Sequence, residues 1–339
     1  MRLQGLDLAR FFALSGMVIV NFTVASNAVM DGGFFQTFEH LFEGRAAATF
    51  VVLAGIGLGL AARKGSVIGV TFRRAGFLML IGLADMLVFS ADIIHYYAVY
   101  FLFGAFLVQI SNRWLMGLIA LIIIISLAML IMLDFDAGWN WETYDYAGFW
   151  TLTGFVRNLF FHGWYPVFPW LVFLIIGIMF SRLDLAHRKT QITLILAGGM
   201  AVFLAETLSA YLSHGVSDPE LLVLVQTAPV PAMPLYLLAG SGVAALVIGL
   251  CLLVQPLIIQ WRWLETLAIT GRQTLTLYFA HIYIGMGMMQ ALGLLESPPI
   301  KTAMLASMVF LIAAILFANI WRIWFAHGPL EWLMRKITG

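Results

Sequence analysis

Long apolar runs, broken at intervals by short polar clusters, dominate this chain from end to end. A membrane-spanning helix takes about 20 consecutive, mostly apolar residues. Ten stretches qualify: 7–27, 46–63, 72–91, 93–111, 114–133, 164–181, 190–213, 233–254, 266–292 and 302–323. The third and fourth meet at Ala91 and Asp92, which predicts a tight hairpin. The pattern therefore predicts an all-α, polytopic integral membrane helix bundle of about ten transmembrane helices. With no soluble domain and no repeat in the pattern, residues 1–339 form a single transmembrane domain.

Composition points the same way. The chain is 62% hydrophobic and 10% charged, with a mean hydropathy of +0.97, whereas soluble domains carry roughly 25% charged residues. The formal net charge of +1 says nothing about partners, but the placement of the charges does. Arg2, Arg63, Lys64, Arg73, Arg74, Arg113, Arg182, Arg188, Lys189, Arg262, Arg322, Arg335 and Lys336 fall at one set of helix ends. The opposite set carries Arg45, Arg157 and Lys301. Because cytoplasmic loops collect Lys and Arg, this alternation supports the ten spans and predicts both termini on the cytoplasmic side. The first stretch is a retained helix and not a cleaved signal, because Asp7 and Arg10 interrupt what would be its apolar region. The single cysteine, Cys251, leaves no internal disulfide.

On the outward side, segment 134–162 is long for a connection and is acidic and aromatic, with Asp134, Asp136, Trp139, Trp141, Glu142, Tyr144, Asp145, Tyr146 and Trp150. Long loops are usually functional or disordered, and the aromatic content argues against disorder. Two readings stand: an amphipathic stretch lying in the interface, or a cover over an outward-facing site. Stacking faces and acceptors such as Trp139, Trp141 and Asp145, with Tyr165 just beyond, suit a sugar or polar head group.

Ionisable side chains inside a spanning helix cost about 2.5–3.5 kcal/mol each on insertion scales and mark function by default. Here they are Asp7, Arg10, Asp85, Glu206, Arg272 and His281. Asp7 and Arg10, three apart, share a helix face and can pair. Arg272 begins the ninth helix on the same side, and an arginine at a helix start is suited to phosphate. The two arginines predict a cytoplasmic phosphorylated ligand, a structural salt bridge being the plainer alternative. His281 falls about 14 Å further along that helix at 1.5 Å per residue, after Thr276 and Tyr278, and is either a packing histidine or a catalytic one. Glu206 and Asp85, at outer helix ends, are held neutral or paired with a histidine.

The outward histidines are His40, His95, His162 and His214. His40 precedes the second helix with Glu43 three residues on, the minimum for an oriented general base. Asp92 and His95 open the fourth helix, with Tyr96 and Tyr97 beside them; Asp92 also suits a simple helix cap. No P-loop, nucleophile elbow, Cys/His zinc spacing or basic run is present, so neither a metal nor a nucleic acid is expected.

Several phrases taken together carry a resemblance. LDLARFFALSGMVIVNF, EGRAAATFVVLAGIGLGLAARK, ADIIHYYAVYFLFGAF, GWYPVFPWLVFLIIGIMFSRLDL, GRQTLTLYFAH and HGPLEWLMRK, in that order from residue 5 to 336, resemble the YeiB-like bacterial membrane proteins of unknown function. These are related to the heparan-alpha-glucosaminide N-acetyltransferases among the transmembrane acyltransferases. The resemblance implies a multi-pass protein of the bacterial cytoplasmic (inner) membrane. It implies a transferase that takes an acyl group, acetyl above all, from cytoplasmic acyl-CoA to an extracytoplasmic acceptor, a sugar or lipid-linked glycan. In that family a histidine in the outward segment before the second helix is catalytic, and His40 occupies the comparable place. The entry to that helix is Glu43-Gly44-Arg45 where the acetyltransferases carry an aspartate.

On this expectation Arg10 and Arg272, with Asp7, Arg63 and Lys64, hold the donor phosphates. His40 with Glu43, or else His281, acts as the base. Asp92, His95, Tyr97, Trp139, Trp141, Asp145 and Tyr165 meet the acceptor. The bilayer and the small-molecule or glycan acceptor are the partners, and oligomeric state is open, a homodimer included. The competing reading is a secondary transporter of a small amphiphile, which Pro166, Pro169 and the glycines of VLAGIGLGL fit as helix breaks.

Overall fold

The computed structural model describes residues 3–65 and 68–339 and is almost entirely helical. The chain runs α1 (Gln4–Ala25), α2 (Phe34–His40), α3 (Arg45–Ala62), α4 (Ile68–Asp85), α5 (Ile94–Leu107) and α6 (Asn112–Met132). The outer segment follows, with a two-stranded ribbon β1 (Trp139–Asn140) and β2 (Asp145–Tyr146), then α7 (Leu152–Arg157) and a π-turn Asn158–His162. The ribbon is antiparallel, Trp139 facing Tyr146. Next come α8 (Val167–Ser181), α9 (Arg188–Ser213), α10 (Pro219–Val225), α11 (Pro234–Leu253) and α12 (Gln255–Gln260). The last part holds α13 (Arg262–Thr270), α14 (Thr274–Ala280), a π-turn His281–Met286, α15 (Gly287–Ala291), α16 (Ile300–Trp321) and α17 (Pro329–Thr338).

Position in the bundle follows from which faces are covered. Helices α1, α3, α8 and α11 bury residues on nearly every side and form the centre. Helix α6 buries only Leu115, Ile122 and Ser126, and α9 only a single stripe, so both present apolar side chains outward as lipid-facing helices do. The α3–α8 contact is close because Gly55 and Gly177 meet: a Cβ on Gly55 would strike the Leu174 carbonyl and one on Gly177 the Val52 carbonyl. The glycines of VLAGIGLGL thus sit in an unbroken helix, Gly55 and Gly59 as packing positions, and not as the helix break a transporter would use.

Among the described residues six helices are long and apolar enough to cross a membrane, or seven if the bent pair Leu152–His162 and Val167–Ser181 counts as one span. The other predicted spans fall short in length, apolarity or continuity. Helix α4 carries Arg73, Arg74 and Asp85, and α5 has only 14 residues. The predicted helix 266–292 is interrupted at Gly271–Gln273, where Gly271 lies flat against the Asp7 backbone with no room for a Cβ. Arg272 therefore sits in a turn between two helices and does not start one. The predicted two-residue hairpin is also longer than expected: α4 ends at Asp85, and residues 86–93 turn before α5 begins. The Asp92 carboxylate accepts the His95 backbone N–H (3.1 Å), which settles where α5 starts.

Candidate functional site

The turn between α4 and α5, with the first turn of α5, carries a buried polar pair. Asp92 and His95 are fully buried in it. Asp92 Oδ2 lies 2.8 Å from His95 Nδ1, and Oδ1 accepts from the Tyr278 hydroxyl at 3.2 Å. That hydroxyl in turn accepts the Ile93 N–H at 3.2 Å. An ionised carboxylate selects the tautomer with the proton on Nδ1, which leaves Nε2 as the ring's acceptor. Nε2 is buried and meets no hydrogen-bond partner among the described residues. A carboxylate-oriented imidazole with a free Nε2 is the arrangement of a general base. Asp85, also buried, lies beside Asp92 and Tyr283 instead of a histidine.

One face of this turn looks into a cavity of about 670 Å³. Ile93, Ile94, Tyr97 and Tyr278 form its deep wall, and Met17, Phe50, Leu53 and Phe101 its apolar sides. Toward the chain ends it is lined by Arg10, Arg74, Arg272, His327, Glu331 and Arg335. Asp7 holds two of these cations, Arg10 at 2.7 Å and Arg272 at 3.1 Å. The Asp7–Arg10 pair thus forms as the spacing predicts, with Arg272 as a second partner. Glu331 of α17 closes the same mouth. Its carboxylate accepts the Leu275 N–H (2.7 Å), the Thr276 N–H (3.2 Å) and the Thr276 hydroxyl (2.6 Å). Burial holds the Glu331 carboxyl above its ordinary range, opposed by those three bonds. Arg63 and Lys64 lie elsewhere. Arg63 donates to the Ser181 carbonyl and lines a separate small pocket, and Lys64 is exposed.

On the other side, Ala91 lines a second cavity of about 830 Å³ together with Asn21, Glu43, Asp134, Asp136 and Tyr165. Trp141, Tyr144 and Trp164 form its aromatic wall. Trp139 backs that wall, stacked on Trp141 at 4.6 Å between ring centroids, while Trp164 stands perpendicular to Trp141 at 6.0 Å. The Trp139 indole donates to the His162 carbonyl (2.6 Å) and that of Trp141 to Asp136 (2.8 Å), so the rings are pinned. The segment 134–162 therefore covers this second cavity. Asp145 is exposed on the ribbon and does not line it.

The other predicted residues are divided between core and rim. His281 is fully buried, 3.0 Å from the Asn21 amide and edge-on to the Tyr278 ring at 4.8 Å. It lines neither cavity, but Asn21 does. His40 is half exposed and 2.8 Å from Glu43. It borders a neighbouring groove of about 570 Å³, and Glu43 borders both that groove and the second cavity. Glu206 pairs with Arg45 at 2.5 Å and accepts from Thr227, not from a histidine. The sequence alone does not mark Asn21, Trp164 or Glu331 as site residues. The polar spacing of Thr276 and Tyr278 was the one visible sign of Tyr278.

Two family descriptions match the chain. Residues 2–216 match the heparan-alpha-glucosaminide N-acetyltransferase catalytic family. Residues 179–339 match a protein family of unknown function, DUF418. No curated protein and no solved structure matches.

Proposed function

The chain belongs to the heparan-alpha-glucosaminide N-acetyltransferase catalytic family and is YeiB-like in its C-terminal part, and on that premise we propose that it is a transmembrane acyltransferase. In this reading it lies in the bacterial cytoplasmic membrane as one domain of ten passes, both termini inside. Acyl-CoA enters the inner cavity, its phosphates held by Arg10, Arg74, Arg272 and Arg335, as guanidinium groups suit phosphate oxygens. The apolar sides guide the thioester toward Ile93 and Tyr278. The acceptor, a sugar or lipid-linked glycan, stacks on Trp141 and Trp164 in the outer cavity.

The acceptor hydroxyl or amine attacks the thioester carbonyl and gives its proton to His95 Nε2. The C–S bond breaks, the thiolate leaves, and the imidazolium stabilised by Asp92 returns the proton to it. Because Nε2 is sealed behind the wall, turnover in this reading includes a movement of the 86–93 turn. His281 keeps Tyr278 and Asn21 in place.

The observation that carries this reading is that adjacent residues of one turn line opposite cavities, Ala91 the outer and Ile93 and Ile94 the inner, with the Asp92–His95 pair in the partition. The first test is calorimetric titration of acetyl-CoA into detergent-purified protein, with Arg10→Ala and Arg272→Ala beside it. Micromolar binding that both variants lose is the expected result. No binding by well-folded protein, together with solute flux into liposomes without a donor, would replace the acyltransferase by a transporter. Transfer that survives His95→Ala but fails in His40→Ala would move the base to the His40–Glu43 pair.

A further inference from the structure

We infer that Glu39, His40 and Glu43 form a binding site for a divalent transition-metal ion of zinc-like ligand preference on the outer rim. Helix α2 continues for a further turn past His40: the Phe42 and Glu43 N–H groups both donate to the Glu39 carbonyl, at 2.8 and 3.3 Å. That turn places Glu39 and Glu43 four apart on one face, with His40 and Glu43 three apart. Gly44, at φ +65°, then reverses the chain into α3. One ligand atom from each of the three side chains lies within 4.8 Å of the others. His40 Nδ1 is 2.8 Å from Glu43 Oε2 and 3.9 Å from Glu39 Oε2. Donors about 2.1 Å from a tetrahedral ion stand about 3.4 Å apart, between these two separations, so small side-chain rotations complete the site.

Glu39 is the observation that points to an ion and not merely to a charged surface. Its side chain is only 4% exposed, and its carboxyl shows no hydrogen bond among the described residues; His40 at 3.9 Å is its polar contact. A carboxylate buried to this extent, with only a histidine 3.9 Å away, is short of counter-charge. The nearby arginine does not supply it. Arg45 is committed to Glu206 and to the carbonyls of His40 and Glu43. A cation held by Glu39, His40 and Glu43 supplies the missing charge. One imidazole and two carboxylates suit zinc or a similar first-row ion. The positions not filled by protein open toward the groove lined by His40, Glu43 and Glu206. The Gln36 amide, 3.3 Å from His40 Nε2, fixes the ring plane.

The test is zinc titration of the chelator-treated, full-length protein in detergent, read by bound metal after dialysis and by thermal midpoint. One equivalent bound with a raised midpoint is expected for the wild type. Loss of a direct ligand in His40→Ala or Glu39→Gln weakens binding by at least the roughly tenfold that loss of an outer-shell partner costs. His40 is half exposed, so His40→Ala keeps the metal-free midpoint, and lost binding there is not unfolding. Wild-type protein that retains no zinc, or equal retention by wild type and both variants, overturns the site.

Discussion

The Asp92 carboxylate takes three hydrogen bonds from protein donors, the His95 amide, the His95 ring and the Tyr278 hydroxyl. Tyr278→Phe removes one of these and also leaves the buried Ile93 N–H without its acceptor. An orphaned buried polar group costs about 1–3 kcal/mol, so the variant should unfold at a clearly lower temperature in detergent. An unchanged midpoint would mean that Tyr278 only packs. The half of this site that is local was legible in the sequence, since Asp92 and His95 stand three apart on one turn. Tyr278 was visible only as a polar residue, because its partner lies 186 positions away and spacing carries no information at that distance. Asp7 shows the same division: its bond to Arg10 follows from spacing, its bond to Arg272 from tertiary packing alone.

Helices α3 and α8 approach at Gly55 and Gly177, and this contact sets the width of the central layer. Gly55→Ala drives a methyl into the Leu174 carbonyl and forces the helices apart, an overpacking cost of about 1–3 kcal/mol. Gly117→Ala in α6 is the control, since nothing among the described residues lies within 4 Å of the added methyl. A thermal midpoint lowered by Gly55→Ala and held or raised by Gly117→Ala is expected, and equal effects would sink the close-packing account. In the sequence both glycines lie in apolar helical runs and look alike. Helix existence was legible because apolar runs of about 20 residues have few alternatives. Helix ends were less so: α4 stops at Asp85 although apolar residues continue to Phe89, because the chain turns there to bury Asp92.

At the scale of the molecule the two cavities have opposite character, and that polarity bears on orientation. Arg10, Arg74, Arg272 and Arg335 line the inner one, whereas Glu43, Asp134 and Asp136 line the outer. The same sign difference runs through the helix ends of the sequence, where Lys and Arg collect on the side of the inner cavity, as they do on cytoplasmic faces. On the proposed reading of ten passes, Lys64 lies inside and Glu142 outside, with three complete passes between them. The single native cysteine, Cys251, is buried, so a thiol placed at either position can be read against a quiet background. In intact cells a membrane-impermeant thiol reagent should label Glu142→Cys and leave Lys64→Cys unlabelled until the membrane is opened. Labelling of both from outside would remove one pass between them and place the arginine-lined mouth on the wrong side for a cytoplasmic donor. Labelling of Glu142→Cys alone fixes the direction in which an acyl group would have to travel, from the arginines to the tryptophans.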